Sequence, residues 1–457
     1  MTTMLRSEYD QPIHRRRAVQ ALGDPLLDRY PNANIPLGFE ALFTNLHEPI
    51  DIVNNFMLSR VRAKIRVRKK WRNSQRADSD DLAQFLIFLW AVGVELVAVG
   101  PEDIDNYALN ITEGVSIWTL QHLSNSTVRR RLSTLRDFFT FGHEAGYFRE
   151  RLMDIRTFKR SGRFGAKADE GLLEKRAAVV VEQPSQPHPD ETIRPLNKME
   201  LSSVLDLLGP REYVSGGRSI RNRLSAEVAV VVGLRVSEIA DLSVGDVAGM
   251  SALAKGRDRF AKVWFWIRKS KNNRARRVVI PVYLVERLQA YIDSERTDLH
   301  RHCLQIGIPF RGEDTLFLNS LKANHRDVGS PTSAATLSYQ FTLAVKNAGL
   351  LVEQQRFVLD SDASRCVDMV TGKAQVAYVY VAAHSIHDLR HTFAIQLYIA
   401  RKNAGDTNPL KAVQSQLGHA LSSTTADTYL SWVDLFEIEL ADQLSSFYDD
   451  IAGIAAR

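Results

Sequence analysis

Cysteine is almost missing from this 457-residue chain, with Cys303 and Cys366 its only two. So sparse a pair excludes a disulfide framework and fits a reducing compartment. Long apolar runs are missing as well. The most apolar stretch, Phe85–Val99, is interrupted by Gly93 and Glu95 and falls short of the roughly 18 residues of a membrane span. The first ten residues lack the apolar segment of a signal peptide. A soluble cytoplasmic protein is the expectation. There is no Gly-x-x-x-x-Gly-Lys-Ser/Thr loop for nucleotide phosphates and no Asp/Glu cluster suited to Mg²⁺, so neither a cofactor nor a metal is expected. No internal repeat is visible.

What remains is ordinary for a globular protein: 45% hydrophobic and 25% charged residues, at a length that implies two or three domains. The net charge of +6 is small, but the cations cluster. Nine fall between Arg60 and Arg76, among them Arg66, Arg68, Lys69 and Lys70. They alternate at first with Val61, Ala63, Ile65 and Val67, a pattern open to a strand or a charged helix face. Without interleaved acids, the run reads as a surface for nucleic acid.

The sequence divides into an N-terminal extension with a basic arm (1–75), a helical domain (76–160), a Pro-bearing linker (161–192) and a larger C-terminal domain (193–457). In the first part only a short helix around Glu40–Asn45 is expected. Leu82, Phe85, Leu86, Leu89 and Trp90 then form one apolar helical stripe, with Asp78 or Ser79 as its N-cap. Helices are also predicted over Glu102–Ile111 and Ser126–Gly142, the latter with Arg129, Arg130, Arg131 and Arg136 facing out. Asn197 and Glu200 suit a capping box for a helix through Leu208. Arg221–Leu242 is helical but broken at Gly233. Val263–Arg268 and Arg277–Val282 alternate as the strands of a hairpin, with Lys269-Ser-Lys271-Asn-Asn-Arg274 as its turn. Further helices are predicted at Leu284–Glu295, Ala335–Ala348, Ile386–Tyr398, Leu410–Leu417 and Leu435–Phe447. Residues 351–382 read as irregular until the β-like Val376–Val381.

Gly233-Leu-Arg235-Val-Ser-Glu238-Ile resembles the first arginine box of the tyrosine recombinases, the phage integrase family. His387-Asp-Leu-Arg390-His391-Thr resembles its His-x-x-Arg box. Leu417-Gly-His419, with Thr424-Thr425 and Tyr429 following, resembles its last box. The likeness covers residues 194–435 by motif and, more loosely, 78–148. It implies a multidomain, mainly α fold: an N-terminal helical core-binding (SAM-like) domain and an α+β catalytic domain with a small antiparallel hairpin.

The resemblance further implies a site-specific recombinase that cleaves and rejoins DNA through a 3′-phosphotyrosyl intermediate and a Holliday junction. Partners would be double-stranded DNA and further copies of the chain, as a tetramer on paired sites, with the protein at the nucleoid. Arg235 and Arg390 would clamp the phosphate, and Tyr429 would be the nucleophile. His387 would move its proton, His419 would bond a phosphate oxygen, and Lys271, with Lys269 as rival, would protonate the leaving oxygen. Glu238 would orient Arg235. Arg66, Arg68, Lys69, Lys70, Arg129, Arg130 and Arg131 would contact DNA. The long interval from Arg235 to Arg390 departs from a compact member, with 351–382 the expected insertion.

Other classes stay open. An accessory DNA-binding protein without catalysis would form no adduct, and a type IB topoisomerase-like enzyme would share the chemistry without strand exchange. His387 and His391, four apart on a helix, have zinc-chelating spacing, but the Glu of His-Glu-x-x-His is replaced by Asp388.

Overall fold

The computed structural model describes residues 13–17, 35–114, 122–149, 152–154, 179–180, 194–268, 275–358 and 375–418. Mostly helical, with small two-stranded sheets, it divides into two compact units. One holds the described residues up to 180 together with those of 354–379, and the other holds 194–353 with 380–418. Among the described residues, no helix is long and apolar enough to cross a membrane.

The first unit starts with strand β1 (Ile13–Arg17) antiparallel to β2 (Glu40–Thr44). The helix expected around Glu40–Asn45 is therefore a strand. Long-range pairing overrides the local signal, and the Asn54 side-chain amide bonds both the N–H and the carbonyl of Leu42 at 2.9 Å. Helices α1 (Asp51–Arg66), α2 (Arg72–Val92), α3 (Pro101–Glu113) and α4 (Asn125–Glu144) follow. The basic run thus lies on the end of α1, a turn and the start of α2. Phe56, Phe85, Tyr107, Phe138, Phe139 and Phe148 pack edge to face in one core. Each such buried ring stabilises the fold by about 1.5–3 kcal/mol. Phe39–Val61 share that core with Leu82–Phe148, so the boundary drawn at residue 75 falls inside α2.

Asp78 and Ser79 do not cap α2. They lie within it and are buried, because the helix begins six residues earlier at Arg72. Buried carboxylates need partners. Asp78 pairs with Arg60 at 3.1 Å, and Asp81 accepts from Arg130 at 2.6 Å and Thr134 at 3.0 Å. The outward orientation expected for the α4 arginines holds only in part: Arg131 turns toward Asp81, Arg130 bonds Asp81 while staying 43% exposed, and Arg136 bonds Asp137. Two-residue strands β3 (Met153–Asp154) and β4 (Val179–Val180) pair in parallel.

The second unit opens with α5 (Lys198–Leu208), capped by Asn197 and Glu200 through reciprocal 2.9 Å bonds. Helices α6 (Arg221–Val232), α7 (Val236–Ala240) and α8 (Val244–Ala254) lead to the antiparallel ribbon of β5 (Lys262–Ile267) and β6 (Arg276–Pro281). Helices α9 (Val282–Tyr291), α10 (Thr297–Gln305) and α11 (Ala334–Asn347) continue the layer. Around the apolar Leu316–Leu318 the chain makes isolated bridges, at Thr315 and Leu318. The second unit is interrupted between Glu353 and Tyr380, where Leu351–Phe357, expected to be irregular, forms strand β7 and pairs with β8 (Val376–Ala382). Strand β7 shows no apolar alternation because Glu353, Gln354, Gln355 and Arg356 are polar, with one face exposed and the other at most half-buried. Helices α12 (Ile386–Asn403) and α13 (Pro409–Leu417) complete the unit. Helix α6 is central: every residue from Leu224 to Val232 is buried.

Candidate active site

Helix α6 stops at Gly233 for two reasons. Its φ of +75° is a left-handed conformation that favours glycine. A Cβ there would also lie 2.3 Å from the Phe393 ring. The turn delivers Arg235 to the N-cap of α7. There the Glu238 carboxylate accepts from the Arg235 amide at 2.9 Å and from its guanidinium at 3.0 Å. The Arg235 side chain remains 23% exposed.

Glu238 itself is buried and holds a second arginine. Arg276 donates to its two carboxylate oxygens at 2.7 and 2.8 Å, the strong bidentate geometry. Burial pushes the Glu238 carboxyl up. The hydrogen bonds and charge of Arg276, helped by the Arg235 amide and guanidinium, more than reverse this and hold it below its ordinary range. Arg276 Nε also donates to the carbonyl of Gln416 at 3.0 Å. Close by, Gly418 caps α13 with φ +68°, and a Cβ there would meet the Arg276 side chain at 2.5 Å. The Gln416 amide bonds the N–H and carbonyl of Val279 at 3.1 and 3.0 Å, and also the carbonyl of Val232 at 3.2 Å. A side chain thus pairs with the β6 edge as another strand would, and it fixes the helix end from which His419 follows in sequence.

Helix α12 supplies the third part. Asp388 accepts from the Ser385 amide at 2.7 Å and sets the first turn. His387 is exposed and His391 half-buried, with perpendicular rings 4.8 Å apart. Arg390 is only 2% exposed. One Nη donates to the carbonyl of Gly233 at 2.5 Å and the other to that of Leu417 at 2.6 Å. One guanidinium therefore joins the ends of α6 and α13 on the floor of the site. Thr392 accepts from the Leu196 amide at 2.9 Å, which ties the start of the unit to the same helix. His384 is buried against the carbonyl of Arg194. Among the described residues, no group of three or more His, Cys, Asp or Glu could hold a metal ion.

The sequence profile of the phage integrase family matches residues 198–432, half of the chain. The chain belongs to the phage integrase family. A curated relative described as a tyrosine recombinase, from Caldanaerobacter subterraneus subsp. tengcongensis, is 23% identical over 250 residues. That match spans 54% of this chain and 64% of the relative, less than two thirds of its length. Two solved structures are similar at 16% identity. XerH site-specific recombinase, bound to palindromic difH substrate in a post-cleavage complex, has a TM-score of 0.44 over 82% of this chain and 81% of that one. A lambda integrase dimer bound to a COC′ core site has 0.43 over 90% and 81%.

In this phage integrase family chain, the described structure brings Arg235, His387 and Arg390 into one unit. Lys269, Lys271, His419, Tyr429 and the helix expected at Leu435–Phe447 lie outside the described residues. In the first unit, Arg66, Arg68, Lys69 and Lys70 are exposed around the α1–α2 turn. Arg129 is half-buried, while Arg130 and Arg131 engage Asp81. Sequence reasoning missed Arg276 and Gln416. A signal existed for Arg276, since it shares the inward register of β6 with Val278 and Ile280. A cation on the buried face of a strand calls for a buried acid.

Proposed function

We propose that this chain is a site-specific DNA recombinase that breaks and rejoins strands through a covalent phosphotyrosyl intermediate. The observation that carries this reading is Arg390. Its guanidinium reaches from the His-x-x-Arg helix to the carbonyl of Gly233, in the first arginine box, and to that of Leu417, at the start of the last. Boxes far apart in sequence thereby share one site.

The attacked phosphate gains negative charge in the transition state, and Arg235 and Arg390 supply fixed positive charge that does not titrate away. The Tyr429 oxygen attacks phosphorus with His387 moving its proton, and the bond from phosphorus to the 5′ oxygen breaks as Lys271 protonates that oxygen. His419 bonds a phosphate oxygen. The 3′-phosphotyrosyl link conserves the bond energy, so attack by another 5′ hydroxyl reverses the step on a new partner through a Holliday junction. Double-stranded DNA is the substrate, and copies of this chain form a tetramer on paired sites at the nucleoid. The first unit serves as the helical, SAM-like core-binding domain, with Arg66, Arg68, Lys69, Lys70, Arg129 and the exposed side of Arg130 toward DNA.

Incubation with a nicked suicide duplex carrying the recombination site tests the proposal. The wild-type chain is expected to form a protein–DNA adduct, and Tyr429→Phe to bind without forming it. An adduct with the Phe variant would overturn the assignment.

A further inference from the structure

The ribbon beside the site has two unlike faces. Val263, Phe265, Ile267, Val278 and Ile280 enter the core. The other face carries Lys262, Trp264 and Trp266 on β5 and Arg277 and Val279 on β6. A sheet with one buried face normally presents polar residues on the other, yet Trp264 and Trp266 are 43% and 48% exposed. Trp264 stands opposite Val279 and Trp266 opposite Arg277. The Arg277 guanidinium lies over the Trp264 ring, 5.0 Å from its centroid. None of the five outward residues is acidic. Glu238, Asp241 and Asp246 line a pocket together with Trp266; Glu238 is held by Arg235 and Arg276, and Asp246 by the Ser243 cap.

We infer that this face is a stacking platform for unpaired DNA, specifically the strand that cleavage releases. The inference rests on the recombinase reading for the origin of that strand. Aromatic rings interleaved with cations are the general means of holding single strands, because each base has a face to stack and each nucleotide a phosphate to neutralise. Duplex DNA offers side chains phosphates and groove edges rather than base faces, so two exposed indoles contribute little to binding it. Trp264 and Trp266, two residues apart on one face, are spaced about 7 Å along the strand. That is twice the roughly 3.4 Å rise per nucleotide of a stacked strand, and it suits an extended one. The platform is also rigidly coupled to the chemistry. Arg276 and Arg277 are neighbours on β6, the first bonded to Glu238 within the site and the second lying over Trp264.

The test compares a fluorescein-labelled dT20 oligonucleotide with a blunt 30-base-pair duplex, titrated by anisotropy against the full chain. For Trp264→Thr/Trp266→Thr, affinity for dT20 is expected to fall about tenfold or more, with duplex affinity within about twofold. Thr suits an exposed strand position, and the melting transition shows whether the fold survives. Trp264→Tyr/Trp266→Tyr keeps the rings and is expected to retain dT20 binding. Arg277→Ala is expected to lower the salt slope for dT20 by about 0.7. Equal losses for dT20 and duplex, failure of the Tyr variant to retain binding, or unchanged dT20 affinity would each overturn the inference. So would a self-association in sedimentation that only the Thr variant loses. The adduct assay with Tyr429→Phe is independent of these titrations, so the two readings can fail separately.

Discussion

The buried guanidinium of Arg390 donates to the carbonyl oxygen of Gly233, 157 positions earlier in the chain, at 2.5 Å. A residue proposed to act on phosphate is therefore also a cross-brace, with its other Nη on Leu417. Arg390→Lys is expected to lose both stability and adduct formation. Lysine cannot span two carbonyls with a planar fork, and buried hydrogen bonds from a charged group are worth about 1.5–3 kcal/mol each. Urea denaturation should show a loss of about 3 kcal/mol. An unchanged midpoint would mean that the brace is dispensable.

Gly233→Ala would force a side chain into a left-handed residue, with its Cβ 2.3 Å from Phe393. Such a conformation costs about 1–2 kcal/mol, and overpacking about 1–3 kcal/mol more. Denaturation is expected to show at least 2 kcal/mol lost, and Phe393→Ala in the same chain should recover part of it.

Arg276→Ala would leave Glu238 buried without its bidentate partner. Because the folded Glu238 carboxyl lies below its ordinary value, its stabilisation is present at neutral pH and is lost as pH falls through the folded value. Removal of Arg276 should shrink that acid-dependent loss. Misplacement of Arg235 should slow adduct formation by roughly 10²-fold, with duplex affinity changed less than about threefold. Arg276→Lys is expected to rescue little, and full rescue would show that only charge matters.

Asp81 carries the opposite sign. Burial raises its carboxyl to about 6 despite Arg130, Thr134 and Arg131, and Asp78 is raised as well, chiefly by burial. An acid raised on folding contributes stability that is full below its unfolded value and lost as pH rises through the folded one. Between pH 4 and 7 the wild type should lose on the order of 2–3 kcal/mol relative to Asp81→Asn. Parallel denaturation series of the two proteins check this, and pH profiles that run parallel would contradict it.

Much of the site's framework was legible because it is local. Gly233 as a helix stop, the Asn197/Glu200 cap, Glu238 three residues beyond Arg235 and the alternation of β5 and β6 each depend on neighbours within about four residues. Those short-range patterns survive in a linear reading. The failures share the opposite cause. Glu40–Thr44 is a strand because Ile13–Arg17 pairs with it. Asp78 and Asp81 are buried because Arg60 and Arg130, distant in sequence, come to meet them. Periodicity carries no record of such partners.

The sequence by itself determined which residue types stand in which boxes, and so the family and the chemistry they propose. Only the tertiary structure decided that Arg390 is buried and braces two carbonyls, that Arg276 shares Glu238 with Arg235, and that Gln416 pairs with the edge of β6. The physical reason is one of range. A helix cap or a strand alternation is satisfied within its own segment, whereas a buried guanidinium is satisfied only by groups that folding brings to it.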